Sequence, residues 1–563
     1  MGSLTVTLIL ADFTVKPLVQ SLNRRSAEPR FAARSGPFDQ VLPVLLDPDH
    51  AAWQPAPSLL VVWTRPEAAV PAYARLLAGQ TVAPDDLRRD VQRFADLLRT
   101  AAGRVATLLA PSWSRPPVER GLGLADLRPG MGLAHALTLM NLTLADGLAP
   151  AGNAFVLDSQ RWLAQCGSRS WNPKLWYLGK LAWTPELLAL AAADLAAAVV
   201  TVSGQARKIL FLDLDETLWG EILGEVGWRR LTLGGHHPVG EALRDFQLAL
   251  KRLKDRGVLL AILSKNREEL ALEALREHPE MVLRPEDFVG WRIDWNDKAA
   301  NLAALLEEVN LLPQSAVFID DNPAERARVR EALPEVLVPD WPRDKLRYRE
   351  ALERLDCFDS AGLTAEDAVR TASYMAERQR RQSRTAVGSL AEWLGSLGLT
   401  IRVAALGADT LPRAAQLLNK TNQMNLRTRR LGEGELQHWA VQPGQRLWVF
   451  RVADRFGDYG LTAITGLTID GDQARVSDFL LSCRVMGRGV ERAMLHVLVR
   501  AARAAGCRTL AAEGLPTARN GPCLEFFRRE SGWEGDGDRY VWDPARDYPV
   551  PGHVSLIDAT RPG

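Results

Sequence analysis

Cysteine is scarce in this chain: five residues in 563, at 166, 357, 483, 507 and 523, with no CxxC spacing. That excludes a disulfide framework and a cysteine-based structural zinc site, and it fits a reducing cytoplasm. An excess of charge of one sign is also missing. With 69 basic against 68 acidic residues the net charge is +1, so no whole-chain field draws the protein to nucleic acid or to an anionic membrane. The eight histidines form no HxxxH or similar cluster, and His236-His237 reads as a loop pair. The opening MGSLTVTLILADFTV lacks a basic region and meets Asp12 early, unlike a signal peptide. The most apolar run, 187–202, contains Asp194 and reads as a buried or amphipathic helix that falls short of a membrane span. Neither a nucleic-acid nor a membrane partner is expected.

What is present is alternation. At this length several domains are expected. Residues 1–205 carry strand-like runs at 4–10, 58–63, 106–109 and 154–157 between helical stretches, an α/β pattern. From 206 to 363 the order is cleaner: strand 209–213, helix 240–256, strand 258–264, helix 267–277, strand 288–291, helix 298–309 and strand 316–320. The strands are continuous apolar runs, as in a parallel sheet covered on both faces. A charged helical connector over 364–387 then leads to an α+β region at 388–563.

In the middle region the chemistry-bearing residues stand where strands end, which is where ligands sit in such sheets. Asp213, Asp215 and Thr217 follow the first strand, Ser264 and Asn266 close the second, Lys298 opens a helix, and Asp320-Asp321 follow the last. One carboxylate can attack phosphorus and a second can pass a proton to the leaving oxygen. Further acidic oxygens can hold magnesium, while Ser264 and Lys298 supply a donor and a positive charge for the phosphoryl oxygens. A lone DxD would be a helix cap or an ion site; four ordered elements point to phosphoryl transfer. The set resembles the haloacid dehalogenase superfamily. That resemblance implies Asp213 as nucleophile, Asp215 as acid/base, Ser264 and Lys298 as phosphate binders, and Mg2+ held by Asp213, Asp215, Asp320 and Asp321.

In the C-terminal region a strand over 475–481 runs into Ser482-Cys483-Arg484-Val485-Met486-Gly487-Arg488-Gly489 and a helix over 490–504. Glycines at such a turn let backbone N–H groups approach a phosphate at the helix N-terminus. With the strand and helix that follow, the order resembles the GNAT acyltransferase fold, whose turn grips the pyrophosphate of coenzyme A. The same groove could take the phosphopantetheine arm of a carrier protein, through Arg484, Gly487, Arg488 and Gly489. Upstream, the polar run from Leu418 to Arg430 holds Lys420, Asn422 and Asn425, and is either a solvated segment or an anion-binding face. Cys483 beside the turn is either a small residue at a strand end or a thiol whose pKa a cation and a helix N-terminus would lower.

Together DLDETLWG, LAILSKN, DWNDKAANL, VFIDDNPAER, LLNKTNQMNLRTRR, DRFGDYG, FLLSCRVMGRGVE and PTARN resemble the FkbH family of polyketide-associated proteins over about residues 205–525. Longer members carry an SGNH-hydrolase-like N-terminal domain; this chain shows no Gly-Asp-Ser signature, so a non-catalytic module is expected there. The resemblance implies an enzyme that dephosphorylates 1,3-bisphosphoglycerate and loads the glyceryl unit as a thioester onto an acyl carrier protein. A phosphatase acting on another phosphorylated small acid is the alternative. The sequence departs from the family in three places: Leu214 stands where a cysteine commonly lies, Glu216 where Asn is usual and Glu221 where a second Gly is usual. A leucine cannot hold a thioester, so transfer would be direct or would use Cys483.

Overall fold

The computed structural model describes residues 4–362, 371, 389–421, 423–517 and 520–559, without the side chains of 390, 420 and 483. The connector expected over 364–387 therefore lies outside the described residues, Thr371 excepted. The chain divides into two compact units. One takes in the residues up to Ala206 together with Arg354–Gly362, and the other begins at Arg207.

The first unit is built on five parallel strands, β1 (Thr5–Ala11), β2 (Phe31–Ser35), β3 (Leu59–Trp63), β4 (Thr107–Pro111) and β5 (Ala154–Leu157), in the order β2-β1-β3-β4-β5. Both faces of the sheet are covered, which is why β3 is buried along its whole length. The helix Pro185–Val202 is long and apolar enough to cross a membrane by length and composition, contrary to the expectation that it falls short. Here one side of it, including Leu187, Leu188, Ala191 and Leu195, packs into the core of this unit. The segment Arg354–Gly362 belongs to the same unit, with Phe358 buried, and no shift in composition marks that return.

In the second unit, β6 (Ile209–Leu212), β7 (Leu259–Ser264), β8 (Phe288–Ile293) and β9 (Ala316–Ile319) form a parallel sheet in the order β8-β7-β6-β9. β6, β7 and β9 are buried at every position, so the first polar residue after each strand emerges at one edge of the sheet. Beyond residue 389 the chain forms a separate eight-stranded sheet. Its strands are β10 (Leu399–Ala405), β11 (Gln445–Asp454), β12 (Gly457–Asp470), β13 (Gln473–Leu481), β14 (Thr509–Glu513), β15 (Glu534–Asp536), β16 (Arg539–Trp542) and β17 (Val554–Asp558). β10 to β13 run antiparallel, and the helix Val490–Ala504 connects β13 to the parallel β14. This is the α+β, GNAT-like order the sequence predicts. The DRFGDYG segment runs from the last residue of β11 through the two-residue turn Arg455-Phe456 into β12.

Candidate active site

Asp213 is the first residue beyond β6, and its N–H donates to the carbonyl of Ile319 at 3.1 Å, which ties it to the end of β9. Lys298 begins the helix Lys298–Glu308, whose start is fixed by Asp297 accepting the Ala299 N–H at 2.8 Å. From there its Nζ lies 2.8 Å from Asp213 Oδ2 and 2.6 Å from Asp320 Oδ2. Asp321 joins the group, and Asp213, Asp320 and Asp321 each bring a carboxylate oxygen within 4.8 Å of the others. Thr217, fully buried, accepts the Asp321 N–H at 3.2 Å and lies 3.4 Å from its Oδ1. Ser264 ends β7, the strand beside β6, and is buried there.

Three carboxylates around one ammonium leave this cluster with an excess of negative charge in a desolvated setting. The pKa shifts reflect that imbalance. Burial, then the charge of Asp213, push the Asp320 carboxyl up to about 7. Asp321 is raised by burial and next by Asp213 and Glu216. Burial works against the Lys298 ammonium, but Asp213 and Asp320 outweigh it and hold Lys298 above its ordinary value. A divalent hard cation is the group this donor set lacks: it takes oxygen ligands and balances the charge. The residues fit such an ion.

Asp215 does something else. Its Oδ1 accepts the Trp219 indole N–H at 2.8 Å and the Leu223 N–H at 3.2 Å, and its Oδ2 accepts the Asn266 amide at 3.0 Å. Its carboxylate is therefore not among the three that converge, and the expectation of four metal-binding side chains reduces to three. Burial raises its pKa ahead of every other cause, so it holds a proton more firmly than an ordinary aspartate. A carboxyl so held can donate a proton and take it back. Asn266, expected to meet substrate, orients this carboxyl.

Trp219, Lys345 and Tyr348 are site residues that sequence reasoning missed. Glu216 has φ 58° and Glu221 φ 76°, left-handed conformations that suit Asn and Gly and cost most other residues about 1 kcal/mol or more. The two unusual residues meet: the Glu221 N–H donates to Glu216 Oε1 at 2.5 Å. Lys345 pairs with the other oxygen of Glu216, and the Tyr348 hydroxyl donates to its carbonyl at 3.1 Å. Tyr348 is itself wedged against Phe246 and Trp341. The backbone next to Asp215 is thus held from several sides. The Trp of DLDETLW was a visible signal; Lys345, 129 positions from Glu216, offered none. Leu214 is fully buried, its N–H donating to Asp213 Oδ1 at 2.7 Å, and carries no group that could hold an acyl chain.

In the C-terminal sheet the expected arm-binding residues are largely spent on the fold. Asn425 is buried, its amide donating to the Thr421 carbonyl at 3.0 Å and its Oδ1 accepting the Thr428 N–H at 2.8 Å. Arg488 is buried, donates to the Tyr459 hydroxyl and lies over the rings of Tyr459 and Trp393. Arg484 is half-buried, 3.5 Å from the Ser482 hydroxyl. The Gly487 N–H is donated to Glu491, and Gly489 adopts φ 88° at the cap of the helix Val490–Ala504. Asn422 and the side chains of Lys420 and Cys483 lie outside the described residues.

No family model matches the chain, and no curated protein matches it. Among solved structures it is similar to the N-terminal part of protein BF1531 from Bacteroides fragilis, a fragment containing a phosphatase domain complexed with Mg. The TM-score is 0.58 at 24% identity, over 64% of this chain and 96% of that one. That likeness shows the fold alone: over the matched part this is an α/β chain of the same architecture. Two N-acetyltransferases also match short stretches. They are the ribosomal-protein-S18-alanine enzyme of Escherichia coli (15% identity, TM-score 0.19, 25% of this chain and 88% of that one) and SpeG of Vibrio cholerae (14%, 0.21, 27% and 95%). Scores that low carry no argument, and the description of the C-terminal sheet rests on its own strand order.

Proposed function

We propose that this chain is a magnesium-dependent phosphoryl-transfer enzyme of the FkbH type. It would take 1,3-bisphosphoglycerate, remove phosphate, and load the glyceryl unit as a thioester onto an acyl carrier protein in the cytoplasm. The observation that carries the phosphoryl half is the split between two kinds of carboxylate: three lie within 4.8 Å of one another, two of them on Lys298, and a fourth, with its pKa raised, is held apart by Trp219, Leu223 and Asn266. Asp213, Asp320 and Asp321 would hold magnesium, which would supply positive charge for the phosphoryl oxygens.

In this reading an Asp213 oxygen attacks phosphorus and the bond to the ester oxygen breaks, while Asp215 gives that oxygen its proton. Asp215 then takes a proton from water as the water oxygen attacks the aspartyl-phosphate, releasing phosphate and restoring Asp213. Lys298 and Ser264 offset charge on the phosphoryl oxygens throughout. The acyl phosphate at C1 is already activated. The thiol of the carrier arm can therefore form the C–S bond directly and expel phosphate, with no thiol needed at position 214.

Incubation with magnesium, 1,3-bisphosphoglycerate and a holo carrier, followed by the intact mass of the carrier, tests both halves. A glyceryl mass gain supports the reading. Phosphate release without it would leave a phosphatase on a phosphorylated small acid, with the C-terminal sheet only recruiting the carrier. Cys483→Ala decides the route: undiminished loading removes that thiol from the mechanism.

A further inference from the structure

In the strand–turn–helix of an acyltransferase-like sheet, the turn can serve a diphosphate only if its N–H groups are free and its mouth is open. Here the first condition fails at Gly487 and the second at Gly489. The Gly487 N–H donates to Glu491 Oε1 at 2.6 Å. Glu491 sits in the first turn of the helix Val490–Ala504 and is only 5% exposed. It is the chain's own carboxyl, placed where a foreign anion would go.

The turn is also covered at Gly489, while a Cβ at Gly487 would meet nothing within 4 Å. A Cβ built on Gly489 would come within 3.1 Å of both His553 Nε2 and Pro551 Cγ, so the segment leading into β17 lies against it. His553 Nε2 is 2.9 Å from the Arg488 carbonyl. The Arg488 side chain, which could have met a phosphate, is turned inward to Tyr459, whose hydroxyl donates to Asp454 Oδ2 at 2.8 Å.

We infer that Glu491 closes this turn to the diphosphate of coenzyme A, and so restricts the acceptor to a thiol arm that arrives without one. Charged or protonated, its carboxyl occupies the Gly487 amide that a diphosphate would need. An arm tethered to a carrier protein is held by the carrier's own surface and does not depend on that cradle. Glu491 is in this sense a specificity-determining residue. The inference rests on the carrier-loading reading for its biological meaning, but the closure itself can be measured without it.

The test is calorimetric titration of the full chain with coenzyme A, beside loading assays with coenzyme A and with holo carrier as competing acceptors. No saturable binding is expected up to about 1 mM, a concentration at which even a weak specific site would register. Coenzyme A should also gain no glyceryl group. Glu491→Ala, which frees the amide of Gly487, should strengthen binding of coenzyme A or inorganic pyrophosphate by about tenfold or more. Glu491→Gln, whose amide oxygen can still accept, should keep the turn closed. Micromolar binding of coenzyme A to the unaltered chain, or loading of coenzyme A as readily as the carrier, overturns the inference. Should Glu491→Ala fail to fold, the titration of the unaltered chain still decides. If phosphate is released but neither acceptor is loaded, the transferase reading falls, and the titration alone judges the closure.

Discussion

The described residues contain two all-parallel sheets, and each delivers an aspartate to the first position beyond an inner strand, the first of its sheet in chain order: Asp12 after β1 and Asp213 after β6. The two are nearly equivalent by topology and quite unlike in company. Asp12 is buried and accepts both the N–H and the Nε–H of Arg65, at 2.8 and 2.6 Å. One acid meets one guanidinium in a two-pronged geometry, and that pair is satisfied. Asp213 shares a single ammonium with Asp320, and Asp321 stands within 4.8 Å. The position beyond a strand end therefore does not make a site. An uncompensated charge held there by a rigid frame does, because burying it requires something to arrive and balance it.

This contrast can be broken or sharpened by experiment. The largest effect is expected for Asp213→Asn, which removes the nucleophile and one ligand oxygen. Phosphate release should fall by on the order of 10³-fold or more, and retained turnover would show that another carboxylate attacks. Lys298→Met leaves two buried acids, Asp213 and Asp320, without their ammonium, so the metal-free protein should lose about 3–5 kcal/mol. Thermal unfolding with and without magnesium should show part of that loss recovered by the ion, and an equal loss in both conditions would speak against a metal at the cluster.

A pH series addresses the same imbalance. Asp320 has its folded pKa raised to about 7 from an ordinary 3.8, so the folded chain keeps a proton that the unfolded chain releases. Metal-free stability should therefore fall as pH rises through that window. A bound cation needs the ionised carboxylate, so magnesium affinity should climb across the same window, by up to about tenfold per pH unit. A magnesium-induced shift in unfolding temperature that is flat from pH 5 to 8 would remove Asp320 from the ligand set.

Smaller effects are expected further out. Tyr348→Phe deletes the hydroxyl bond to the Glu216 carbonyl, worth about 0.5–1.5 kcal/mol. Because that bond steadies the backbone next to Asp215, kcat should drop more than KM rises, and a change confined to KM would place Tyr348 against substrate instead. Asp12→Asn should lower the unfolding temperature yet leave phosphate release unchanged. Loss of activity there, in a protein that still folds, would mean the N-terminal sheet takes part in the chemistry.

Much of this was legible before the chain was seen folded. Continuous apolar runs such as 209–212 and 259–264 can only be strands covered on both faces, and the acids that follow them must then share an edge. The DxD spacing, Lys298 and Asp320-Asp321 were readable for that reason. The division of labour among the aspartates was not. Spacing makes Asp213 and Asp215 look like a pair, whereas the chain turns between them and gives Asp215 to Trp219 and Asn266. The RxxGRG turn misled in the opposite way. Its glycines imply an open cradle, and only the folded chain brings Glu491 to the Gly487 amide and Pro551 and His553 against Gly489.

The pattern of hydrophobic runs and punctuating acids was enough to dictate the α/β class, the parallel central sheet and the strand edge that bears the chemistry, since these depend on local periodicity and on where apolar strands stop. Charge balance and free amides depend instead on partners far apart along the chain. That Lys298 serves two aspartates, that Lys345 and Tyr348 hold Glu216, and that Glu491 occupies the glycine turn are decisions of the tertiary structure, because no spacing encodes which distant groups will meet once solvent is excluded.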